Sequence, residues 1–103
     1  MSQFTKATDE SYYISCNVAS IVASGLSILS ASLSAEDMTE DNSDATDFVL
    51  DGVEPVVTIF QREVRFLVQN GESAHKYLIK GLLTLTPGDP GQVVGFSLIM
   101  NVV

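Results

Sequence analysis

Cysteine is nearly absent from this chain. Cys16 stands alone among 103 residues, so no internal disulfide can form, and a disulfide-stapled secreted scaffold is disfavoured. No histidine or basic residue neighbours it, and it reads as a small buried apolar side chain rather than a reactive thiol. Histidine is as scarce: His75 is the sole example, and one cysteine with one histidine cannot build a zinc site of the familiar ligand types from a single chain. Basic residues are few. Five Lys and Arg against thirteen Asp and Glu leave a formal net charge of −8, and a surface of that sign repels phosphate backbones, which argues against nucleic-acid partners. Met1–Glu10 lacks the basic start and apolar block of an export signal.

The familiar catalytic patterns are missing too. There is no Gly-x-Ser-x-Gly and no glycine-rich phosphate loop. Nothing in the sequence places a nucleophile or carboxylate beside His75. No catalytic residue, cofactor site or metal site is assigned, and a non-enzyme is expected. The uncharged stretch between Glu10 and Glu36 is long enough to cross a bilayer, yet it holds Asn17 and eight serines. It is read as strand, with no membrane partner.

What the chain has in quantity is alternation. Leu29, Ala31, Leu33 and Ala35 interleave with Ser30, Ser32 and Ser34, the period of a strand with one buried face. Tyr77, Ile79, Gly81, Leu83 and Leu85 repeat it, as do Val94, Phe96, Leu98, Met100 and Val102, and Val64, Phe66 and Val68. Strands are expected over Tyr12–Cys16, Leu26–Ala35, Thr46–Leu50, Glu54–Phe60, Arg62–Gln69, from about Ala74 to Thr86, and from about Gln92 to Val102. Between the first two, Asn17–Ser24 reads as a helical turn or irregular connection, with Val18, Ile21 and Val22 at helical spacing. Asp51-Gly52 reads as a turn, Asn70-Gly71 as a hairpin turn, and Pro87–Gly91 as a second one. The fold class expected is all-β: an antiparallel immunoglobulin-like β-sandwich of six to seven strands, with a small barrel as the alternative. Residues 1–11 form an N-terminal arm, disordered or ordered only by a neighbour, and 12–103 form the single sandwich domain.

Charge is distributed unevenly. Eight of the thirteen acids lie between Glu36 and Glu54. No window there has the glycine and glutamate spacing of an EF-hand, so Glu36–Ala45 reads as a solvated acidic loop, with calcium binding or docking onto a basic partner surface as the alternatives. Arg62, Arg65, His75, Lys76 and Lys80 gather about Asn70-Gly71. The two regions can pair within one chain or between neighbouring subunits. With the core face assigned, Leu67, Leu78, Leu82, Val93 and Ile99 point the other way. An aliphatic patch of that kind marks a protein–protein interface, and at roughly 25 cal/mol per Å² its burial contributes several kcal/mol before the costs of association.

Laid out this way, the chain resembles the small immunoglobulin-like virion proteins of tailed bacteriophages, of the fiber-tail adaptor, collar or neck-associated type. The matching residues are Gly25 before Ile28-x-Ser30, Val64-x-Phe66-x-Val68 followed by Asn70-Gly71-Glu72, Tyr77-x-Ile79, and Leu83-Thr84-x-Thr86 ahead of a Pro/Gly turn and a closing hydrophobic strand. The resemblance implies a non-enzymatic homo-oligomeric subunit of the virion. Its partners would be portal or neck, fiber or capsid proteins, and its role to join the head–tail junction to fibers or tail. Capsid decoration (cement) proteins are the nearest rival. A soluble module recognising carbohydrate or a host surface is the alternative from another class.

Overall fold

The computed structural model describes residues 2–18, 20–22, 25–50, 56–58, 63–86 and 92–103. Among them the chain forms β1 (Ser2–Lys6), β2 (Tyr12–Asn17), β3 (Ser27–Asp37), β4 (Ser43–Asp44), a helical turn α1 (Thr46–Val49), β5 (Val56–Thr58), β6 (Glu63–Val68), β7 (Lys76–Thr86) and β8 (Val93–Val102). The fold is all-β, as the period of two requires. One sheet has the order β1-β8-β7-β3-β4 and the other β2-β6-β5. A single apolar cluster joins them: Tyr77, Ile79, Leu83, Leu98 and Met100 from the first meet Val64, Phe66 and Val68 from the second. The turns expected at Asp51-Gly52 and Pro87–Gly91, together with Pro55 and Arg62, lie outside the described residues.

The expectation of purely antiparallel sheets fails at β1, which runs parallel to β8 with Phe4 opposite Met100 and Lys6 opposite Val102. The first sheet is therefore mixed. Residues 2–6 are ordered by the chain itself rather than only by a neighbour, because Phe4 packs on the core and the Lys6 stem is buried with it. The Lys6 ammonium donates to the carbonyls of Ala7 and Asn70, at 2.6 and 2.5 Å. Burial pushes its pKa down.

Three local expectations are also corrected. Thr46–Leu50 is a helical turn, not a strand: Val49 N–H donates to Ala45 and Leu50 N–H to Thr46, so Ala45 and Val49 bury one side of it. Glu36–Ala45 is a hairpin rather than an open loop, with Asp37 opposite Ser43 and positive φ at Asp41 and Asn42. Asn70-Gly71 takes the positive φ values expected of it, 52° and 102°, but β6 and β7 do not pair. The 69–75 segment crosses between sheets instead. Gln69 N–H is held by the Val49 carbonyl, and Ala74 N–H by that of Val102. Of the two readings of Asn17–Ser24, a helical turn or an irregular connection, the described residues show a turn, with the N–H groups of Ile21 and Val22 donating to the Val18 carbonyl.

Candidate functional site

The predicted interface residues divide between the sheets. Leu67 lies on β6 opposite Tyr13 of β2, where the Arg65 guanidinium sits 4.9 Å from the Tyr13 ring centroid. The other four occupy the outer side of the larger sheet, but not as one patch. Leu78 pairs directly with Ile99, and both are half-buried. The next row is Ser34, Lys80 and Ser97, and Lys80 pairs with Glu36 at 2.9 Å. Beyond it stand Leu82, opposite Gly95, and Val93, opposite Thr84. These two are 55 and 59% exposed.

Leu29 joins this end. The alternation places it in the core, but a register shift between Ile28 and Ser30 turns Ile28 inward and leaves Leu29 66% exposed. The extra residue inverts the inward parity across the bulge, from odd positions at Ala31 and Leu33 to even at Ile28. Ser30 and Ser32 flank Leu82 and Thr84, so the rows from Ser32 to Ser30 carry no charged residue.

The second site lies at the opposite end of β3. Asp37 continues the inward parity of Leu33 and Ala35 and is 6% exposed. A carboxylate there requires partners. Oδ1 accepts from the N–H groups of Thr39 and Glu40, at 3.0 and 3.3 Å. Oδ2 takes His75 Nδ1 at 2.8 Å, and His75 Nε2 lies 3.3 Å from Glu72 Oε2. The Glu72 N–H donates to the hydroxyl of buried Tyr77 at 2.9 Å, and the Tyr77 ring stacks against His75 with centroids 6.3 Å apart.

A depression of about 360 Å³ opens beside these groups, lined by Asp37, Glu40, Asp44, Phe48, Glu72 and Tyr77. Thr46 donates to Asp44 from its hydroxyl and its N–H, which holds that carboxyl below the usual range. The hydrogen bond to Asp37 raises the His75 pKa. Carboxylates thus flank His75, where nothing in the sequence placed one. The missed signal was parity. Asp37 extends the buried face of β3, and His75 that of Tyr77 and Ile79, while the antiparallel register sets Asp37 opposite Tyr77.

Of the basic residues grouped about Asn70-Gly71, His75 and Lys80 pair within the chain and Arg65 stacks on Tyr13. Cys16 is half-buried on β2, and burial pushes its thiol pKa up, which leaves it a poor nucleophile. Among the described residues no helix is long and apolar enough to cross a membrane. No known protein-family model and no curated protein sequence matches this chain.

Proposed function

We propose that this chain is a non-enzymatic structural subunit that assembles with copies of itself, and that its place is the virion of a tailed phage, joining neck or collar proteins to fibers or tail. The observation that carries the reading is the uncharged outer end of the larger sheet. Leu29, Leu82 and Val93 are exposed there on a chain of net charge −8. Two such chains repel over most of their surfaces, so copies meet with least electrostatic cost where the charge is absent. The occupant assigned to this face is a second copy of the chain.

β3, β7 and β8 are 11, 11 and 10 residues long and lie side by side. At about 4.8 Å between strands and 3.3 Å per residue they present a projected face of roughly 500 Å², which includes the Leu78–Ile99 and Lys80 rows as well as the uncharged end. The whole face, those rows included, has to be covered for it to approach one partner's share, about 600 Å², of the smaller stable interfaces. Two sheets on one core, with β7 and β8 antiparallel, support the immunoglobulin-like reading of the fold. His75 supports the non-enzymatic part: the side chains paired with its ring are carboxylates, Asp37 at Nδ1 and Glu72 at Nε2, and not a serine or cysteine nucleophile.

Light scattering coupled to size exclusion tests the assembly. The wild-type chain is expected to run as a multimer, and Leu82→Asp as a monomer with an unchanged circular dichroism spectrum and melting midpoint. A monomeric wild type, or a Leu82→Asp multimer, rejects the face. Density-gradient fractionation of phage particles tests the location: the chain should band with intact particles, and its absence from them rejects the virion role.

A further inference from the structure

We propose that the end of β3, the 38–42 turn and the 70–75 connection together form a binding site for one divalent cation of the zinc class, ligated by His75 Nε2 and the carboxylates of Glu40 and Glu72. One ligand atom from each of the three lies within 4.8 Å of the others. Bonds to such an ion are about 2.0–2.2 Å in a tetrahedral arrangement, so two ligand atoms on one ion stand about 3.4 Å apart. Glu40 and Glu72 are exposed side chains, free to close the remaining distance by a small torsional change.

Surface carboxylates gather in many proteins without holding a cation, and two glutamates alone would carry no argument. The nitrogen donor sets this cluster apart. Asp37 Oδ2 engages Nδ1 of His75 at 2.8 Å, and Asp37 is itself buried and held by two backbone N–H groups. A buried carboxylate on one ring nitrogen fixes the tautomer and the ring plane and leaves the other nitrogen to ligate, an arrangement that orients metal-bound histidines and raises their basicity. Here that other nitrogen faces Glu72.

The charge balance points the same way. Asp37, Glu40 and Glu72 surround one imidazole, and among the described residues no Lys or Arg forms an ion pair with any of the three. The scarcity of cysteine and histidine excludes a set built from those residues alone. It does not restrict a set of one nitrogen and two oxygens, with water completing the coordination. Imidazole nitrogen favours zinc and its first-row neighbours over calcium, which takes roughly six to eight oxygen ligands.

The whole chain, stripped with chelator and titrated with zinc chloride by calorimetry, is expected to take up a single equivalent saturably. Calcium chloride should bind at least about tenfold more weakly. His75→Gln and Glu72→Gln are each expected to weaken zinc binding by about tenfold or more, and Asp37→Asn, which leaves all three ligands in place, by about 10–100-fold. Circular dichroism of each zinc-free variant checks folding. If Asp37→Asn does not fold, Glu40→Gln at an exposed turn position takes its place, with the loss expected of a ligand. No saturable zinc uptake by the wild type overturns the assignment. So does uptake that His75→Gln leaves unchanged, or calcium binding as tight as zinc binding. The assembly face plays no part in this result, since none of the ligands lies on it.

Discussion

His75 is where pH enters the stability of this chain. Its hydrogen bond to Asp37 raises its pKa, burial works against that, and the charges of Asp37, Glu72 and Glu40 add to the rise. A folded-state pKa above the unfolded one means that the native chain holds the proton more tightly. The stabilisation is therefore complete below the unfolded value, about 6.5, and is lost as pH climbs through the higher folded value. In chelator, so that a proton and not a metal occupies the ring, the melting midpoint is expected to fall as pH is raised across that interval. His75→Gln should flatten the fall. A slope that survives the substitution belongs to some other group and removes His75 from the account.

The elements differ in how openly the sequence announces them. β6, β7 and β8 are legible because one face of each is buried along its length, so Val64, Phe66, Val68, Tyr77, Ile79 and Leu83 repeat at a strict period of two. β3 is legible except at Ile28 and Leu29, since a bulge is a choice of register and leaves no trace in polarity. Thr46–Leu50 misleads because a run of five residues is too short to separate the two periods, and Thr46 bonding to Asp44 and Ala35 decides for a helical turn. The cluster about His75 is less legible still, because Asp37 and His75 are 38 positions apart and only the pairing of β3 with β7 brings them together. Asn70-Gly71 carries the conformational signal of a hairpin, yet the partner of β6 is set by packing elsewhere. Gly71 does more there than supply positive φ. A Cβ on it would stand 2.7 Å from Val102 Cγ2, whereas one on Gly25, at φ +86°, would meet nothing within 4 Å. Gly71→Ala is thus expected to combine backbone strain with a clash, at about 2–4 kcal/mol, against about 1 kcal/mol for Gly25→Ala. Urea denaturation of the two variants measures the difference, and equal losses would show that the crossing at Val102 is not tight.

For the molecule as a whole, charge and apolar area make opposite demands on association, and salt separates them. Thirteen acids against five Lys and Arg repel any second copy, with a reach of about 10 Å at 0.1 M ionic strength and about 3 Å at 1 M. If copies meet through Leu29, Leu82 and Val93, added salt screens the repulsion and leaves the apolar contact intact, so association strengthens as sodium chloride is raised. If instead the acidic hairpin of one subunit met the basic residues of the next, salt would screen the attraction and dissociate the assembly. The structure already diminishes the second arrangement, because Lys80 is engaged with Glu36 and His75 with Asp37 inside one chain. Sedimentation velocity across a salt series is therefore expected to show the multimer gaining at the expense of the monomer. Leu82→Asp should abolish the gain by placing a new carboxylate in the uncharged rows. Dissociation by salt would move the contact from the outer sheet to the charged hairpins.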